Sequence, residues 1–241
     1  MTKSSKSSPA GKGDDPAVYV LRVSLQGTRP PIWRRVAVPS RITLGRLHDV
    51  IQIVMGWSNS HLHHFILRDK SLKPTREEIA NYFRQDHWDD AFFDRMRGQR
   101  FFVPAKTPFG EPTEMEGEDE DAVALAEVCP KVKNKLIYEY DFGDGWEHLV
   151  QVQKITPPDS GTAYPVCLAG KRACPPEDCG GVWGYDEMLR AVRNPRHKMH
   201  EEYSEWLGPD FDPEAFDLEQ VNALLAEWRQ GRSLPQISGL L

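Results

Sequence analysis

Three of the chain's 4 cysteines, Cys167, Cys174 and Cys179, crowd into YPVCLAGKRACPPEDCGG, from Tyr164 to Gly181. Thiolate is a soft, anionic ligand, and four nitrogen or sulfur donors close a tetrahedron around zinc. The spacings of seven and five differ from the paired knuckle of a zinc finger, and the stretch itself supplies no fourth donor. His148, on the strand leading into it, is the candidate fourth ligand, and zinc is the cofactor the set of Cys167, Cys174, Cys179 and His148 would take. His61 and His63, two apart and so on one face of a strand, are alternatives. The competing expectation is a tight structural loop whose small thiols are buried. A nucleophilic or redox-active cysteine is a third, with no basic partner assignable to it.

A second motif, Asp141-Phe-Gly-Asp-Gly-Trp-Glu-His148, gathers two carboxylates, two glycines, an indole and an imidazole. Asp141 and Asp144 could hold a hard cation or accept the amides of a turn. An EF-hand needs more oxygen ligands and a closing Glu. Were Glu177 and Asp178 to approach His148 and Asp144, a mixed catalytic metal site would form. The sequence has no P-loop, no G-x-S-x-G elbow, no H-E-x-x-H and no dinucleotide fingerprint. The common enzyme classes are disfavoured, and catalysis is left open.

Charge is unevenly spread. The net charge is −6, which argues against a general nucleic-acid binder. Yet no acid lies between Asp15 and Asp49, where Arg22, Arg29, Arg34, Arg35, Arg41 and Arg46 all fall. Arg29, Arg34, Arg35 and Arg41 are therefore the candidates for contacting phosphates or an acidic partner. Glu111–Glu127 and Glu201–Glu227 are acidic and free of Lys and Arg; the plain expectation is that these faces complement the arginines within the monomer. No apolar run approaches the ~18–20 residues of a membrane span. The first residues, MTKSSKSSPAGKGDD, lack the apolar core of a secretory signal. A cytoplasmic protein with reduced thiols is expected, with no membrane partner.

These residues must be positioned by the elements around them. Ala17–Leu25 alternates as a strand, and Ile32–Val38 answers it across Gly27 and Pro30-Pro31 as a hairpin. Thr43–Met55 has helical periodicity, with Thr43 as N-cap and Gly56 for the left-handed C′ position. His61–Leu67 is a third strand, Thr75–Glu78 a capping box opening a short helix, and Phe101–Val103 a brief strand. Residues 104–120 read as a flexible acidic loop. Leu136–Asp141 and Trp146–Ile155 form a hairpin around the Phe142–Gly145 turn. Helices follow at Tyr185–Arg193, His200–Leu207 and Leu218–Gln230, the last capped by Asp217 with Gln220, with Phe216 stapled on Val221. The expected fold is α+β: a mixed or antiparallel sheet with a ββαβ, β-grasp-like start and a helical C-terminal region. A single domain over residues 17–231 would lie between tails at 1–16 and 232–241.

RVSLQGTRPPIWRRVAVPSRITLGRLHDVIQIVMGW, HLHHF, YEYDFGDGWEH, YPVCLAGKRACPPEDCGGVWGYDEML and WLGPDFDPEAFDLEQVN occur in that order. Together they resemble the plasmid pRiA4b open-reading-frame-three-like family from about Val18 to Trp228. The resemblance implies an α+β fold and a home on bacterial or archaeal chromosomes, plasmids and insertion elements. Some relatives carry a resolvase-like label, but the serine or tyrosine context of a recombinase is absent here. The resemblance implies no defined reaction, and it ranks Cys167 and Cys174 above Cys179 as ligands. The leading expectation is an interaction or accessory module of a mobile element, with the Cys loop as a structural clamp and a protein or nucleic acid as partner. The alternatives are a metal-dependent enzyme on nucleic acid, using His148 with Asp144, Cys174 or Glu177, and a nucleic-acid binder working through the basic hairpin.

Overall fold

The structure, a computed structural model, describes residues 17–84, 90–209 and 211–233. The expected tail at 1–16 and most of that at 232–241 lie outside the described residues. β1 (Val18–Leu25) and β2 (Trp33–Pro39) form the expected hairpin. Their buried residues alternate along β1 because one face of the pair meets the core. α1 (Leu44–Met55) begins where the Thr43 hydroxyl accepts from the Arg46 amide and ends at Gly56, whose φ of 92° satisfies the left-handed cap. Nearly all of α1 is buried, the sheet on one side and α7 (Leu218–Arg229) on the other.

β3 (His63–Arg68), α2 (Arg76–Tyr82), α3 (Asp90–Arg97) and β4 (Gln99–Val103) follow. The Thr75–Glu78 capping box opens α2 as expected. The stretch from 104 to 120, expected as a flexible loop, carries a Lys106–Pro112 bridge and β5 (Glu118–Asp119). It then delivers Glu120 to the interior, only 4% exposed. After the single turn α4 (Leu125–Val128) come β6 (Lys135–Tyr140) and β7 (Trp146–Thr156), the hairpin around the DFGDG turn.

Besides β5, one more strand was not anticipated. β8 (Val166–Lys171) pairs with β2, so Cys167 lies in a sheet edge and the loop proper begins after Lys171. The Val-Cys-Leu-Ala-Gly segment is short and partly exposed, which masks its alternation. α5 (Gly181–Arg193), α6 (His200–Leu207) and α7 complete the chain. α5 starts four residues earlier than its apolar periodicity announces. Asp217 caps α7 by accepting from the Gln220 amide, and Phe216 stacks beneath Arg34 at 4.2 Å.

The eight strands make one sheet in the order β5-β4-β3-β6-β7-β1-β2-β8. All neighbours are antiparallel except β4 and β5 at the edge. The ββαβ chain order is as read, but α1 carries the chain past the β6–β7 hairpin, so β3 is two strands removed from β1. This crossover brings the loop after α1, the DFGDG turn and the CPPEDCGG loop to one end of the sheet. Among the described residues no helix is long and apolar enough to cross a membrane.

Candidate functional site at the meeting of three loops

Trp57–Leu62 leaves α1 and enters β3, Asp141–Gly145 joins β6 to β7, and Cys174–Gly181 precedes α5. Side chains tie the three together. The Trp57 indole donates to the Pro175 carbonyl at 3.0 Å. Glu177 accepts from the Ser58 amide at 3.2 Å, from the Ser58 hydroxyl and from the Tyr140 hydroxyl. Tyr140 in turn accepts from the Ser60 amide at 3.0 Å, and burial, with Glu177 beside it, raises the phenol far above its ordinary range. Asp144 accepts from the Gly180 amide at 3.2 Å. Gly181 is required there: at φ 66° a Cβ would stand 2.3 Å from the Asp144 carbonyl oxygen.

The turn is an Asx structure, Asp141 accepting through one oxygen from the amides of Gly143 and Asp144 at 3.0 and 3.3 Å. Its other oxygen faces His61 Nε2 at 3.7 Å, and Asp178 Oδ1 approaches the same nitrogen at 3.3 Å. One donor atom from each of His61, Asp141 and Asp178 lies within 4.8 Å of the others. Asn59, Asp141 and Asp178, one from each loop, have left-handed φ of 57°, 56° and 60°. Non-glycine residues pay for that conformation, and it concentrates where surrounding structure fixes a functional geometry. The His61 corner opens onto a cavity of about 350 Å³ walled also by Phe109 and Phe142.

A second cavity, about 380 Å³, shares Thr107 and Pro108 with the first and is lined by His48, Asp49, Asn59, His63, Glu120 and Asp121. His63 Nε2 meets both Glu120 oxygens at 3.1 Å. Burial pushes Glu120 up to about 8, with Asp121 and Asp119 adding to it, and pushes His63 down to about 3. Burial thus favours the uncharged form of each partner, and His63 Nδ1 is buried without a partner among the described residues. His48 stacks on His63 at 3.5 Å between ring centres and is held neutral by burial and by that neighbour. One turn of α1 sets this arrangement. His48 bonds Tyr138 at 2.8 Å and Asn59 at 3.0 Å, while Gln52 bonds the same Tyr138 hydroxyl and the Asn59 amide, both at 2.9 Å.

The expected thiol and imidazole set is not assembled. Cys167, Cys174, Cys179 and His148 do not place three ligand atoms within 4.8 Å of one another. Cys167 donates within the sheet to the carbonyls of Arg35 and Ala169, each at 3.6 Å. His148 is fully buried in β7, its Nδ1–H on the Trp146 carbonyl at 3.1 Å and its ring edge-on to Trp57. Burial pushes the Cys167 and Cys179 thiols up to about 11 and about 12, and Cys174 higher still. His61 and His63 also part company, one facing Asp141 and Asp178, the other Glu120.

The arginines disperse. Arg34 is 2% exposed; it donates to Val54 O at 2.6 Å and to Trp33 O and Lys171 O at 3.0 Å. Its guanidinium thus bonds the carbonyl end of α1 and β8. Arg35 points to the other face and bonds Gln153 at 3.0 Å. Arg29 and Arg41 flank opposite ends of β2, a strand that spans roughly 20 Å.

Compared with known proteins, residues 17–220 match the family described as plasmid pRiA4b ORF-3-like protein. The chain belongs to this family. Within it, the chain is 36% identical over 217 residues to the uncharacterized protein y4hQ of Sinorhizobium fredii, covering 88% of this chain and 94% of the relative. It is also 36% identical to the protein of unknown function MM3350 from Methanosarcina mazei Go1. That crystal structure superposes with a TM-score of 0.65 over 84% of this chain and 95% of its own.

Sequence reasoning named Asp141, His61 and Asp178 separately but not together, and it missed Glu120, Tyr140 and Ser58. Glu120 gives no signal of its own, because it sits inside the run EGEDED. The contacts of Tyr140 and Ser58 to Glu177 span 37 and 119 residues, beyond any local pattern.

Proposed function

We propose that this pRiA4b ORF-3-like protein is a non-catalytic binding module. In this reading the Cys174–Gly181 loop is a metal-free clamp, and the His61–Asp141–Asp178 corner is the working site, taking a divalent cation. The observation that carries the reading is the convergence of one imidazole and two carboxylates from three loops, both carboxylates on residues with left-handed backbone. Donors about 2.1 Å from a tetrahedral ion lie roughly 3.4 Å apart, and the His61 contacts of 3.3 and 3.7 Å bracket that spacing. One nitrogen and two oxygens suit zinc or manganese, and the exposed Asp178 leaves the ion open to a further ligand from a partner. The role of an accessory to a mobile element rests on the family resemblance.

Titration calorimetry with zinc chloride and manganese chloride, on reduced protein, tests this. One ion per chain is expected, lost in His61→Ala, weakened more than tenfold in Asp178→Asn and retained in Cys174→Ala. Loss of the ion in Cys174→Ala with retention in His61→Ala would move the metal to the thiols and refute the proposal. A second reading, an acid–base enzyme, draws on Glu120, its carboxyl pushed up by burial, against His63 in the adjoining cavity. Metal-stimulated turnover of a phosphodiester, abolished by Glu120→Gln, would favour it.

A further inference from the structure

We propose a second ligand site, distinct from the three-loop corner: the cavity between the β1–β2 turn and the first turns of α5 binds a small organic anion carrying a flat ring. Its volume is about 410 Å³, the scale of a small-molecule pocket. Two buried side chains line it with unused donors. Arg172 is 1% exposed; its Nε pairs with Glu214 at 2.9 Å and its Nη1 donates to Pro30 O at 2.9 Å, while Nη2 has no partner among the described residues. Tyr185 is 3% exposed and its hydroxyl has no partner among the described residues. An unpaired buried donor is costly, and two on one cavity wall are accounted for by an acceptor that arrives with a ligand. Burial pushes the Tyr185 phenol up to about 12, so it stays protonated and donates.

The sign of the charge follows from the same wall. Arg29, exposed at the rim, adds a second cation. The one acid of the lining, Asp186, is drawn off by an ion pair with Arg190. The flat ring follows from Trp183, which lines the cavity with 84% of its surface exposed. An indole left in water beside cationic donors offers a stacking face to a planar ligand. An anionic head with an aromatic body occurs in two sources, a mononucleotide and an aromatic carboxylate.

Calorimetry on the full chain with adenosine 5′-monophosphate, indole-3-carboxylate, adenosine and inorganic phosphate separates them. One of the two ringed anions is expected to bind one per chain, more tightly than adenosine or phosphate, and which one binds identifies the source. Tyr185→Phe and Arg29→Gln should each weaken binding roughly tenfold, the effect of losing a hydrogen bond to a charged group. Trp183→Ala should abolish the advantage of the ringed anion over phosphate. Arg29 and Trp183 are exposed, so those variants decide the matter even if Tyr185→Phe fails to fold. Binding of neither ringed anion, or equal affinity in Arg29→Gln and Trp183→Ala, overturns the proposal.

Discussion

Glu177→Gln should open the Cys174–Gly181 loop and make its thiols reactive. Glu177 holds the loop to two other segments through three hydrogen bonds, from the Ser58 amide, the Ser58 hydroxyl and the Tyr140 hydroxyl. A hydrogen bond to a charged group contributes ~1.5–3 kcal/mol, and bonds sharing one acceptor do not add in full. The amide keeps one accepting oxygen and places an NH₂ against a donor, so closure is expected to weaken by ~2 kcal/mol. While the loop is closed, burial keeps Cys179 up near about 12 and Cys174 beyond it, so almost no thiolate is present at neutral pH. Labelling therefore proceeds from the opened loop, and ~2 kcal/mol raises its population ~30-fold. Tyr140→Phe removes one bond and should raise the rate ~10-fold. Maleimide labelling read peptide by peptide gives both rates. Cys129, buried at the end of α4, is the internal control and should not change. Labelling of wild-type Cys174 at the rate of a free thiol would refute the clamp, as would an unchanged rate in Glu177→Gln.

Other consequences are open to measurement. Glu120 has a folded pKa raised to about 8 by burial, so the folded state binds the extra proton. Its stabilisation is full below the ordinary carboxylate pKa near 4.5 and is lost as pH rises through about 8. Between pH 6.5 and 8, above the range in which the buried imidazoles of His48, His63 and His148 make stability rise with pH, urea unfolding should show stability falling by up to ~1.4 kcal/mol per pH unit, a slope that Glu120→Gln flattens. Arg34→Met leaves the carbonyls of Val54 and Lys171 without their donor and should cost ~3 kcal/mol or more in the same assay. Thr43→Ala removes the cap of α1 and should cost ~1 kcal/mol, with no change in metal binding by calorimetry.

Local chemistry made much of the fold legible. The alternation of β1 and β2, the period of α1 between Thr43 and Gly56, the Thr75 capping box and the turn of the β6–β7 hairpin all act within a few residues, so their residue types specify them directly. β8 escaped because its strand character comes from pairing with β2, more than a hundred residues earlier, and not from its own pattern. Phe216 illustrates the same limit: nothing local announces that it lies beneath the buried cation of Arg34.

The Cys-rich motif that first suggests zinc shows the boundary most clearly. The sequence by itself led from it to the family, and left a tight structural loop, a metal site and a reactive thiol as alternatives. Which ligands meet was decided by the crossover after α1, which sets β3 beside β6 and sends the histidine segment to the DFGDG turn. Burial then settled the chemistry. Cys167, Cys179 and His148 are buried and Cys174 is half-buried, Arg34 is turned inward, and His61, the buried Asp141 and the exposed Asp178 meet at one corner. Desolvation and meetings across long sequence separations are tertiary properties, and the spacing of residue types along a chain does not encode them.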